Sequence, residues 1–114
     1  MKNLVKYVKS SDLLEIRVGS LYIIIKDKIQ GDVDVKAAFK TVNHTLPEEY
    51  LSLIDIVYIG KFKFLDDKNV NAMYADESLF ISNAQDNEND LIDDVVHEIA
   101  HAVEEKYVEF IDHP

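Results

Sequence analysis

The stretch that decides the reading is Asp86–Tyr107, DNENDLIDDVVHEIAHAVEEKY. No glycine or proline falls within it. It is therefore expected to form one long helix, with Asp86 as N-cap and Glu88 and Asp90 placing negative charge at the positive end of the dipole. The helix should run to about Tyr107 or beyond, because the next breaker is Pro114. Within it stands His97-Glu98-Ile99-Ala100-His101. At 3.6 residues per turn the two imidazoles stack on one face, where both can aim a nitrogen at a single ion about 2 Å away. Glu98 is turned by about 100° from His97. It can sit beside such an ion and take a proton from water, but it cannot join the histidines as an equal ligand. Ile92, Val96, Ile99, Val103, Tyr107 and Phe110 fall within about 80° of one another on the wheel, with the histidines on the far side. That stripe is expected to be core.

Working outward, the elements before this helix are short. Leu13–Val18 and Leu21–Lys26 are aliphatic runs around Gly19-Ser20 and read as a hairpin. Asp34 is placed to cap a helix with Val35, Ala38, Phe39 and Val42 on its apolar face. Thr45-Leu46-Pro47-Glu48 reads as a capping box leading into a short helix over Glu49–Leu53, with His44 in the turn beside it. Ile54–Lys63 alternates as a strand with Ile56, Tyr58 and Phe62 on one face. Asp66–Asn69 reads as a turn. Val70–Ala75 and Leu79–Ser82 flank Asp76-Glu77-Ser78 as a second hairpin. The order predicts an α+β fold: a small mixed or antiparallel sheet packed against a backing helix and the long C-terminal helix. One domain is expected over 1–114, with N-terminal strands and helix in 1–46 and the H-E-x-x-H core in 47–114.

Composition narrows the chemistry. The 114 residues include no cysteine, which removes disulfides, thiolate metal sites and thiol nucleophiles. Asp and Glu number 22 against 12 Lys and Arg, for a net charge of −10, and Arg17 is the only arginine. A nucleic-acid partner is not expected from such a balance. The longest apolar run, Leu21–Ile25, is far short of a membrane span, and Met1–Lys6 has no apolar signal core, so a cytoplasmic location is expected. Asp86–Asp94 has Leu91 where a calcium loop needs glycine, and reads instead as solvated helix. Tyr58 and Tyr74 are candidates to donate a hydrogen bond to an oxyanion, although strand tyrosines more commonly close a core edge.

From Asn69 to Tyr107 the chain resembles the core of a zincin metallopeptidase, in particular the small gluzincins. The resemblance implies that His97 and His101 bind Zn²⁺ and that Glu98 is the general base. It also implies that a peptide substrate lies antiparallel along a sheet edge, for which Val70–Ala75 is the expected strand. A catalytic zinc site needs a third protein ligand. The metzincin pattern is excluded, because Glu104 and Tyr107 occupy its glycine and third-histidine positions. Gluzincins take a glutamate from a further downstream helix. Glu104 and Glu105 lie too far along the axis from His97, and Asp112 or His113 would serve only if the helix broke early. The expectation is a zinc peptidase domain truncated before its last ligand, weak in zinc binding and nearly inactive alone. The alternative is a catalytically silent acidic module that binds a metal or a protein partner.

Overall fold

The computed structural model describes the backbone of residues 14–111 and the side chains of 14–108. Two strands open it, β1 (Leu14–Val18) and β2 (Leu21–Ile25). Helix α1 (Val35–Thr45) and the short α2 (Glu48–Leu51) follow. Then come β3 (Ile56–Gly60), α3 (Lys63–Lys68), β4 (Ala72–Ala75), β5 (Ser78–Ser82) and the 24-residue α4 (Glu88–Ile111). This is the expected α+β class. The strands form one mixed sheet in the order β1-β2-β3-β5-β4. The central pairs β2·β3 and β3·β5 are parallel, and the outer hairpins β1·β2 and β4·β5 are antiparallel. Parallel neighbours need a crossover between them. Here α1 and α2 connect β2 to β3, and α3 with β4 connects β3 to β5.

Strand alternation decides which face is covered. Leu21, Ile23, Val57, Ile59, Leu79 and Ile81 are fully buried and meet α1 and α4. Each such side chain contributes roughly 1.5–3 kcal/mol relative to exposure. The opposite face carries half-buried Tyr22, Ile24, Tyr58 and Phe80. There the Tyr58 and Phe80 rings stack with centroids 5.2 Å apart, and Phe62 and Phe64 pack edge-on against Phe80.

Several local expectations hold. The Asp34 side chain accepts from the Ala37 N–H at 3.0 Å and caps α1, whose buried residues are Val35, Ala38, Phe39 and Val42. Val70–Ala75 shortens to β4, which lies at one edge of the sheet. The turn between β4 and β5 places both Asp76 and Glu77 at positive φ, the pattern of a tight two-residue hairpin.

Others are corrected. Thr45 is not an N-cap; it and His44 end α1, and Pro47 precedes α2 without a side-chain cap. The strand after Ile54 stops at Gly60, and Asp66 and Asp67 lie in α3 rather than in a turn. Asn69 ends α3 in the left-handed conformation. The N-cap of α4 is Asn87, not Asp86: its Oδ1 accepts from the Asp90 N–H at 2.9 Å. The core stripe of α4 is Leu91, Val95, Ile99 and Ala102, not the stripe through Ile92, Val96, Val103 and Tyr107. Only Ile99 is common to both. Of the expected stripe, Ile92, Val96 and Val103 are half-buried and Tyr107 is 47% exposed, while Phe110 lies outside the described side chains.

Candidate metal centre

The site sits on α4 where that helix passes the edge strand. Three contacts fix the loop from β5 into α4. Asn83 Nδ2 donates to the Lys28 carbonyl at 2.9 Å. Gln85 Nε2 donates to the Ser82 carbonyl and to Asp94 Oδ2, each at 3.0 Å. Buried amides need such partners, and these set where the helix begins. Gln85 and Asn83 are 4% and 8% exposed. The sequence reading assigned neither residue a role, because their partners lie in other segments or a helical turn away.

His97 and His101 are both exposed. Their Nε2 atoms lie 3.1 Å apart and their rings meet at 87° with centroids 4.6 Å apart. Glu98 lies on the sheet side of the helix and is 8% exposed. One donor atom from each of His97, Glu98 and His101 falls within 4.8 Å of the others, and such a group could hold a metal ion. Among the described residues no further His, Cys, Asp or Glu joins it. Glu104 comes within 3.6 Å of His101, but at Nδ1, the other ring nitrogen, and beyond hydrogen-bond range. The helix continues unbroken through Ile111, so no early break brings the chain back toward the histidines; Asp112 and His113 lie outside the described residues.

A cleft of about 570 Å³ opens beside this group. Met73 and Tyr74 of β4 form one wall, and Glu98, His101, Glu104 and Glu105 of α4 form the other. The outer edge of β4 has no strand partner among the described residues. Tyr74 therefore stands at the cleft, and its phenol is raised from its ordinary range by burial first, then by the charges of Glu105 and Glu77. Tyr58 does not: it lies on the opposite face of the sheet, stacked on Phe80. Asp94, one turn ahead of His97, is also shifted. Burial raises its carboxyl, the Gln85 hydrogen bond opposes this, and the charges of Asp90 and Asp93 add to the rise.

No family profile matches the chain, and no curated protein or solved structure matches it either. No helix among the described residues is long and apolar enough to cross a membrane.

Proposed function

We propose that this chain is a peptidase domain of the small gluzincin type, in which His97 and His101 hold Zn²⁺ and Glu98 is the general base. The observation that carries the reading is the 3.1 Å between the two Nε2 atoms. Nitrogen ligands about 2.0–2.1 Å from a tetrahedral zinc stand about 3.4 Å from each other, so the rings need only a small adjustment. When bound, zinc supplies Lewis acidity, lowering the pKa of water and polarising a substrate carbonyl. Glu98, sheltered on the cleft side, takes the proton of the attacking water and returns it to the departing amine. A peptide paired antiparallel to β4 is held by backbone hydrogen bonds along the open edge, and its scissile bond is brought past Met73 and Tyr74 to the histidines. Two imidazoles without a third ligand hold zinc weakly, so turnover by the chain alone is slow.

A second reading is a silent metal-binding module in which Glu98 is itself a ligand. It is favoured by the Glu98 carboxylate standing in the same 4.8 Å group as both imidazoles. Metal analysis combined with casein hydrolysis separates the two, comparing wild type with Glu98→Gln. For the peptidase, the variant keeps zinc and loses about 100-fold or more in rate, the usual effect of removing a general base. Loss of zinc on substitution, with no hydrolysis by either protein, selects the silent module. Equal hydrolysis by both, or no zinc bound by wild type, overturns the peptidase reading.

A further inference from the structure

Strand β1, Leu14-Glu15-Ile16-Arg17-Val18, is the edge of the sheet opposite β4. Its outer side has no strand partner among the described residues. Edge strands are commonly protected by a bulge, a proline or an inward-pointing charge. β1 has none of these. Its register against β2 runs unbroken from Leu14↔Ile25 to Val18↔Leu21, so Leu14, Ile16 and Val18 share the helix-covered face with buried Ile25, Ile23 and Leu21. The cover is incomplete at this edge: Leu14 is 55% exposed and Ile16 is half-buried.

The alternation of hydrogen bonds shows which backbone groups face outward. Just past β2, the Lys26 N–H donates to the Ile59 carbonyl at 2.7 Å. Even-numbered residues of β2 therefore bond toward β3 and odd-numbered ones toward β1. The odd ones oppose Leu14, Ile16 and Val18. The N–H and C=O groups of Glu15 and Arg17 are left pointing away from the sheet. Both side chains are exposed on the open face, where the Arg17 guanidinium lies 4.5 Å from the Tyr22 ring centre.

We propose that β1 pairs antiparallel with β1 of a second copy of this chain, about a two-fold axis at Ile16, joining two sheets into one of ten strands. The strand is complementary to its own reverse. About that axis, Glu15 of each copy faces Arg17 of the other, and each such pair exchanges two N–H···O bonds through the outward-pointing backbone groups. Ile16 faces Ile16, and exposed Leu14 meets Val18 of the other copy. An axis at Glu15 or at Arg17 would instead set like charges opposite each other, which is unfavourable. The net charge of −10 opposes association, but eight of the 22 acids belong to α4, which packs over β4 and β5 at the far edge. Pairing through β1 keeps the two acidic helices apart and leaves both His97–His101 clefts open. Pairing through β4 would bring together the Glu98, Glu104 and Glu105 carboxylates of both clefts.

Sedimentation equilibrium from about 10 μM to about 1 mM tests this. The mass should rise from one chain toward two. Glu15→Arg or Arg17→Glu sets like charges opposite each other at both contacts, and each should weaken association about tenfold or more. The double variant Glu15→Arg/Arg17→Glu restores it. So does an equimolar mixture of the two single variants, in which opposite charges again meet across the axis; a folding fault in either variant would not be repaired by mixing. The chain has no cysteine, so Ile16→Cys should oxidise to a covalent dimer, since opposed residues of this kind have Cα atoms about 4.5 Å apart. Ser20→Cys, four residues from the axis, should not. A monomer throughout overturns the proposal and leaves the edge to a strand of another protein. Association indifferent to the single reversals, a mixture that stays monomeric, or cross-linking at Ser20 rather than Ile16 overturns it as well, and places any contact on another surface.

Discussion

Asp94 shows what burial does to a single carboxyl on the site helix. Its pKa is raised above the ordinary value of 3.8, chiefly by desolvation. A carboxyl that holds its proton more tightly when folded is neutral at no cost at low pH. Its ionisation then subtracts stability as pH rises through the folded-state value. Asp94→Asn keeps an oxygen for the Gln85 Nε2 donor and removes the charge. It should raise the melting temperature by a few degrees at pH 7, with the gain shrinking toward pH 4, as followed by circular dichroism. An unchanged melting temperature at pH 7 would mean that the Gln85 bond offsets the burial. At this scale His97, Glu98 and His101 were legible because one helical turn is a local geometry that sequence spacing encodes. Asp94 was not, because its effect depends on Gln85, across the loop, and on the packing of α4 against the sheet.

Helix α4 shows the limits of periodicity for a whole element. Leu91, Val95, Ile99 and Ala102 form one helical stripe, and Ile92, Val96, Ile99 and Val103 form another about 75° away. The two share Ile99 and are similarly apolar, so the wheel alone cannot choose between them. The sheet chose the first and left Ile92, Val96 and Val103 of the second half-buried. The helix start is ambiguous in the same way, since Asp86 and Asn87 are both good caps by residue type. The side-chain bond from Asn87 to the Asp90 N–H settles it. Asn87→Ala should therefore cost about 1 kcal/mol of unfolding free energy, and Asp86→Ala less than about 0.5 kcal/mol, by urea titration. The missed helix, α3, has a different cause. Phe62 reads as part of a continuing strand and Phe64 falls in no expected element, but the rings of both pack against Phe80, a contact that no local pattern announces.

For the whole molecule, the fold class followed from element order, while the strand order β1-β2-β3-β5-β4 did not, because pairing partners lie far apart in the chain. One junction ties the two halves together. The loop before α1 meets the loop before α4 through the Gln30–Ala84 bridge and the Gln30 N–H to Asn83 carbonyl bond of 2.8 Å. Gly31 sits there at φ +94°, and a Cβ would lie 2.6 Å from the Gln85 carbonyl oxygen. Both the conformation and the space exclude a side chain. Gly31→Ala should destabilise the domain by about 2–3 kcal/mol, measured by chemical unfolding, with the urea dependence unchanged. A loss below about 0.5 kcal/mol would show that the two loops are free to separate.

The length of α4 bears on how an ion would be received. Its 24 residues span about 36 Å, roughly twice the length of the five-residue strands beneath it. Both imidazoles are rooted on this one hydrogen-bonded rod, so any tilt of the rod carries them together and leaves their spacing unchanged. Capture of a cation then immobilises a few side-chain torsions and no backbone. The entropic penalty is small, and the apo and loaded forms should share one backbone conformation across this turn.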